Sequence, residues 1–326
     1  MTIEQIYRLA VELGIKNDLR GVPAVKKHLQ RVADRYAKLA KDERSAFDPD
    51  DLWNPYSDTR VYVGNPKQVV KRVAVGIDIE TPEILLAHEL NQQHPTKPID
   101  LIITHHPVGP GLAGLHEVMH LQAEVLAQYG VPINVAEGLL HLRINEVSRR
   151  VSPINHQREI DAARLLGISL MSTHTTSDNM VAMFLTKLMD KNAKKIELVG
   201  DVLRILKDIP EYREAAKWKA GPVLFAGSPD RFAGKVALTE LTGGTEGSPD
   251  IYHRLAQAGV GTVVGMHMSE KHKEEAEKAH INAIIAGHMS SDSIGMNLFS
   301  DELERRGIEV VPMAGFIRVK RTGKRR

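Results

Sequence analysis

The chain has 326 residues, 42% of them hydrophobic, and a net charge of +2, enough for two ordinary domains around a sizeable core. So small a charge excludes a global pull toward nucleic acid or membrane. There is no cysteine, which excludes disulfides and thiolate metal sites, so any metal must use nitrogen and oxygen ligands.

At the N-terminus Ile3, Ile6, Tyr7, Ala10, Val11 and Leu13 recur at helical period, and Gly14 can end that helix. A second amphipathic helix is predicted from Pro23 to about Ala40, with Val25, Leu29, Val32 and Tyr36 on its apolar face. Both are read as packing surfaces for the body or a partner subunit. Asp48-Pro49-Asp50-Asp51-Leu52 breaks the pattern as a linker, so residues 1–52 form a helical extension. Met1–Arg8 is charged where a secretory leader is apolar, and no apolar run reaches membrane-spanning length. A cytoplasmic location is expected.

From Val70 strands and helices alternate. Val73–Ile79 is a predicted strand, and Thr81-Pro82 opens a helix that runs to about Gln93. The apolar run Leu101-Ile102-Ile103 is a buried strand that delivers Thr104-His105-His106-Pro107 at its end. Leu115–Tyr129 is read as helix, Val131–Ala136 as strand and Leu140–Val151 as helix. A helix ends at Gly167, the Ile168–Thr173 strand precedes His174, and Asn179–Lys191 is helix. In the second half Val223–Phe225, Lys235–Leu238, Thr262–Gly265, Asn282–Ala286 and Ile308–Val311 are strands, with Glu270–Ala279 and Ser293–Arg306 as helices. Alternation of this kind predicts the α/β class with largely parallel strands. We expect two α/β layers, 53–192 and 193–326, facing each other so that one site draws on both.

Three strand ends carry histidine. His105 and His106 follow the first, His174 with Asp178 the second, and His288 with Asp292 the third. In the last two the carboxylate follows one helical turn on, on the same face. A lone His-His pair also fits loop histidines bonded to backbone. Three strand ends of one layout instead predict a His/carboxylate site for zinc, manganese or iron. Ligands in open α/β sheets bind beyond the strand carboxyl ends. A single structural metal is the simpler alternative to two.

Other stretches carry two readings each. His116-Glu117-Val118-Met119-His120 fits H-E-x-x-H, but no glycine and third histidine follow, which argues against a peptidase. Glu117 or His120 is read as an outer partner of the metal pocket, or the histidines as an ordinary surface or core pair. Gly243-Gly244 is either an anion-binding turn or a plain one. Ser269 is read as a helix cap. Arg318–Arg326 is basic and is expected to be a solvated, frayed tail, or else an arm for an acidic partner.

Ile103-Thr104-His105-His106-Pro107, His174 to Asp178, and Gly287-His288 to Asp292 resemble the three signature segments of the GTP cyclohydrolase 1 type 2 family, also called the NIF-three-like dinuclear metal centre family. Supporting matches are Ala74-Val75-Gly76-Ile77-Asp78, Gly243-Gly244 and Ser269-Glu270-Lys271-His272. The resemblance runs from about Asp58 to about Lys320. It implies two divalent ions per chain, held by His105, His106, Asp178, His288 and Asp292, with Asp292 as the bridge. His174 orients Asp178 or substrate, or is itself a ligand, and His272 meets substrate. The resemblance further implies a ring-shaped homohexamer and hydrolytic opening of the purine ring of GTP, although nothing in the sequence reads a guanine base. The alternative class is a non-enzymatic metal-storage, metal-delivery or regulatory interaction protein. Two departures stand out. Asp292 replaces the usual glutamate, one methylene shorter, so weaker binding of one ion is expected. Gly265-Met266-His267-Met268 also differs from the commoner pattern.

Overall fold

A computed structural model describes residues 1–321. The strands, in chain order, are β1 Val61–Val63, β2 Arg72–Gly76, β3 Leu101–Thr104, β4 Leu170–Ser172, β5 Val223–Ala226, β6 Lys235–Glu240, β7 Val260–Gly265, β8 Asn282–Ile285 and β9 Glu309–Pro312. They form a five-stranded sheet ordered β1-β4-β3-β2-β9 and a four-stranded sheet ordered β5-β8-β7-β6. Only β1 and β5, each at a sheet edge, run antiparallel to their neighbours. The α/β class with largely parallel strands is therefore borne out. β9 pairs with β2, so the first sheet takes strands from both ends of the chain.

Two helices, Thr175–Asn192 and His288–Arg305, lie between the sheets. Met180, Met296 and Phe299 pack toward the first sheet with Val73, Val75, Ile103 and Ile6. Val181, Leu185 and Ile294 pack toward the second with Val264 and Ile284. The N-terminal Ile3–Asn17 helix buries Ile3, Ile6, Tyr7 and Ala10 in the same core, as its apolar period requires.

The two central helices touch at Gly295. A Cβ at that position would lie 2.3 Å from the Ser177 carbonyl oxygen. That oxygen is backbone and cannot swing aside. This contact lets Asp178 and Asp292, on facing helices, converge. Gly295→Ala is expected to destabilise the fold by about 1–3 kcal/mol through overpacking and to lower metal content. Denaturant titration and elemental analysis check the two effects.

Several sequence expectations are corrected. Val131–Ala136 is no strand: Ile133–Val151 is one helix, with Ala136, Leu140, Ile144, Val147 and Val151 buried along it. A short apolar run does not separate strand from buried helix, and the period that decides it lies downstream. Leu115–Tyr129 is two helices, Leu115–Val118 and Leu121–Gln128, after a short one at Gly109–Ala113. The helices expected from Asn179 and Ser293 begin earlier, at Thr175 and His288. Gly287, at φ +104°, turns the chain from β8 straight into the latter. The tail is also ordered as far as described. Arg318 pairs with Asp301 at 2.6 Å and Glu304 at 3.1 Å, and Arg321 pairs with buried Glu211 at 2.6 Å. The remainder of that expected tail, 322–326, lies outside the described residues.

Candidate metal centre

Gly76, Thr104 and Ser172 are register partners across β2, β3 and β4. The residues just beyond them, Asp78, His105, His106 and His174, therefore leave the first sheet at one level. In the second sheet Gly265 pairs with both Glu240 and Ile285, so Glu240, His267 and His288 leave it at another. The centre sits between these two sets of carboxyl ends, where α/β sheets bind ligands.

All five expected metal ligands come together. His105 Nε2 lies 3.4 Å from Asp178 Oδ1 and 3.5 Å from Asp292 Oδ1. The other oxygen, Asp292 Oδ2, lies 3.6 Å from both His106 Nε2 and His288 Nε2. The two imidazole nitrogens of His106 and His288 are 3.3 Å apart. Three overlapping groups result, each with its ligand atoms within 4.8 Å of one another: His105–Asp178–Asp292, His106–His288–Asp292 and His105–His106–His174. The shorter Asp292 side chain reaches both sides almost equally, because close helix approach brings its backbone in.

The residues fit a cation. Both oxygens of Asp292 and Asp178 Oδ1 are buried without a hydrogen-bond partner. Buried polar atoms left unpaired are costly, and converging acceptors and imidazoles are what a divalent ion satisfies. The centre thus can bind metal.

Outer carboxylates orient two of the rings. His106 Nδ1 is 2.6 Å from Asp78 Oδ1, and His174 Nδ1 is 2.8 Å from Asp58 Oδ2. With the carboxylate accepting, Nδ1 carries the proton and the Nε2 lone pair points inward. His174 Nε2 lies 3.8 Å from Asp178 Oδ2, so it borders the ligand set and faces Asp178. Asp58 also accepts from Thr175 Oγ1 at 2.6 Å. Sequence reading missed the part Asp58 plays, since it lies in a loop 116 residues from His174 with no motif around it. Asp78 stood at the end of the quoted Ala74–Asp78 match, and its strand-end position was the available signal.

The remaining candidates lie elsewhere. Glu117 and His120 line a separate groove beside the N-terminal helices, with Arg31, Arg35 and His141. The helix breaks at Met119–His120, so H-E-x-x-H does not present one face. His272 is buried behind Glu246, 3.6 Å from its carboxylate, with Nε2 3.0 Å from the Gly247 carbonyl and Nδ1 2.6 Å from Ser269 Oγ. Ser269 caps its helix as expected. Gly243-Gly244 forms a turn seated on Gln122, whose Nε2 donates to the carbonyls of Gly243 and Thr245 at 2.8 and 2.7 Å.

No family model and no curated protein sequence matches the chain. Among solved structures it is similar to a NIF3 superfamily protein from Sphaerobacter thermophilus, at 29% identity and TM-score 0.68, over 79% of this chain and 91% of that one. The fold is that of the NIF3 superfamily. The reduced HcgD protein of Methanocaldococcus jannaschii shares the fold at 16% identity and TM-score 0.51, over 83% of this chain and 94% of that one. The NIF3-like resemblance of the signature segments is thereby borne out. Among the described residues no helix is long and apolar enough to cross a membrane.

Electrostatics in this NIF3-like centre divide the two carboxylates. Burial, with the charges of Asp292 and Asp58, raises the Asp178 carboxyl well above the usual carboxylate range. Burial opposes ionisation of Asp292 too, but His105, His288 and His106 outweigh it and hold that carboxyl well below the range. Burial pushes the His105 imidazole down to about 4 and lowers His288 as well. Both rings are neutral at pH 7 and free to ligate. Without a cation, Asp178 therefore keeps its proton to higher pH than an ordinary aspartate. Metal competes with that proton, so affinity is expected to rise with pH and uptake to release protons. Calorimetry in buffers of different ionisation enthalpy measures the release. His105 adds little to it above about pH 5, since its pKa is already about 4.

Proposed function

We propose that the chain is a metal-dependent hydrolase that holds two divalent ions of the zinc, manganese or iron type. The supporting observation is Asp292, whose two oxygens face different histidines and have no other partner. In this reading His105, Asp178 and Asp292 would hold one ion, and His106, His288 and Asp292 would hold the other. Asp58 and Asp78 fix the rings, and His174 borders the pair. Bound ions would supply a water made nucleophilic near neutral pH. Opening of a purine nucleotide ring, as the family name implies, is one reaction to be assayed. A homo-oligomer, with a ring hexamer as the specific form, is part of the same proposal. Exposed Trp218, Val223, Phe225 and Phe232 support an apolar contact between copies.

The test is elemental analysis after reconstitution, followed by a substrate panel. Two ions per chain and turnover lost in His288→Ala are the expected result. Glu117→Gln should leave metal content unchanged, because Glu117 lines the other groove. No metal after reconstitution would overturn the proposal. The His288 side chain is 42% exposed and that of His106 26%, which favours ready ion exchange and supports metal delivery as a second reading. That reading expects fast exchange and no turnover.

A further inference from the structure

One of the three ligand groups in the centre contains no carboxylate. His105, His106 and His174 offer ligand atoms that all lie within 4.8 Å of one another. Their ring centres are 4.9, 5.0 and 5.7 Å apart, and the rings are tilted against each other by 52° to 67°. Rings so tilted converge as a tripod and do not stack. Asp78 holds Nδ1 of His106 at 2.6 Å, and Asp58 holds Nδ1 of His174 at 2.8 Å. In both rings Nε2 is the nitrogen left to ligate.

The ion pair gives His174 no metal of its own, yet His174 is fixed as firmly as His106. Its side chain is 7% exposed, and Asp58, which is wholly buried, orients it. A carboxylate behind an imidazole is the usual support of a metal-bound histidine. The charges also match. Asp58 and Asp78, neither of them in the tripod, offset the two charges of one divalent ion.

The donor set differs in kind from that of the pair. Carboxylates suit magnesium, calcium and manganese, whereas imidazoles suit copper, nickel, zinc and iron, and copper binds nitrogen donors most tightly of the divalent first-row ions. The chain has no cysteine to compete for copper. His106 has only one free nitrogen, so it cannot serve the tripod and the His288–Asp292 group together.

We propose that the centre has a second mode of loading, in which His105, His106 and His174 hold a single copper(II) ion and the ion pair is excluded. The tripod does not depend on the hydrolase reading, since it concerns a different set of ligands.

Metal-free protein is titrated with copper(II) sulfate and, separately, with zinc sulfate. One copper per chain is expected, with electron paramagnetic resonance showing splitting by three nitrogens. His174→Ala should weaken copper by more than about 100-fold, beyond the scale for loss of an outer partner of a ligand, and leave zinc content unchanged. Asp292→Asn should do the reverse, losing zinc and keeping the three-nitrogen copper signal. The unaltered chain gives a check that does not hinge on how variants fold. Copper added to protein loaded with two zinc ions should release both for each copper bound. Release of only one, two coppers per chain, or a copper signal indifferent to His174→Ala overturns the inference. Loss of copper in Asp292→Asn overturns it as well. A chain that holds only one zinc, yet gives the copper signal that depends on His174, sinks the ion-pair reading and keeps the tripod.

Discussion

Asp292→Asn is expected to remove both metal ions from the chain. One side chain serves both halves of the centre: Oδ1 faces His105 at 3.5 Å, and Oδ2 faces His106 and His288 at 3.6 Å. An amide keeps one acceptor oxygen, loses the negative charge and turns an NH₂ toward the other ion. Loss of an outer partner of a metal ligand weakens affinity by roughly 10–100-fold, and loss of the shared ligand should exceed that for each ion. The fold should survive, because the change keeps the volume of a residue that packs no apolar core. Elemental analysis of the purified variant, with circular dichroism as the control for folding, gives the answer. Loss of one ion with the other retained would mean that Asp292 does not bridge. Asp292→Glu is expected to overpack the junction of the two central helices, because the existing side chain already reaches both sides.

Arg318→Ala is expected to destabilise the protein by about 3–5 kcal/mol, the scale for breaking a buried ion pair by deleting one partner. Arg318 and Asp301 have side chains only 8% and 2% exposed. Removal of the guanidinium leaves Asp301 with the Arg321 amide at 2.9 Å as its remaining donor. Asn297 also loses a donor, since its Oδ1 accepts from Arg318 at 3.0 Å. That asparagine is on the helix that carries His288 and Asp292, so the segment braces the helix from the side away from the metal. Denaturant unfolding of the metal-free protein isolates this effect from any change in metal affinity. A loss under about 1 kcal/mol, the range of an exposed pair, would show that the segment is dispensable.

Much of the centre was legible before any coordinates. Each apolar run that ended in histidine is a buried strand, or leads straight from one, and the i, i+4 carboxylates are on the same helix face as His174 and His288. These signals are local: hydrophobic period, a strand terminus and helical spacing depend on neighbours a few residues away. Errors of extent arose where the local signal was weak. Val131–Ala136 was too short to show a period of its own. The first turns after His174 and Gly287 are rich in Ser, Thr and Asp, and their helical state depends on burial against the opposite sheet.

Sequence by itself therefore determined the α/β class and the strand ends, and it singled out His105, His106, Asp178, His288 and Asp292, which the fold brings together. Tertiary structure alone decided which atoms face which. The pairing of Asp58 with His174, across 116 residues, follows from the packing of a loop against a helix start and leaves no mark in either segment. The separation of Glu117 and His120 from the centre follows from a helix break that propensity does not show. Placement of Glu240 and His267 beside the metal pocket follows from β6, β7 and β8 ending in register. The ordering of Arg318 and Arg321 depends on buried Asp301 and Glu211, which lie 17 and 110 residues earlier. In each case the deciding interaction joins groups distant in the chain, and its strength comes from a burial that exists only once the sheets and helices have packed.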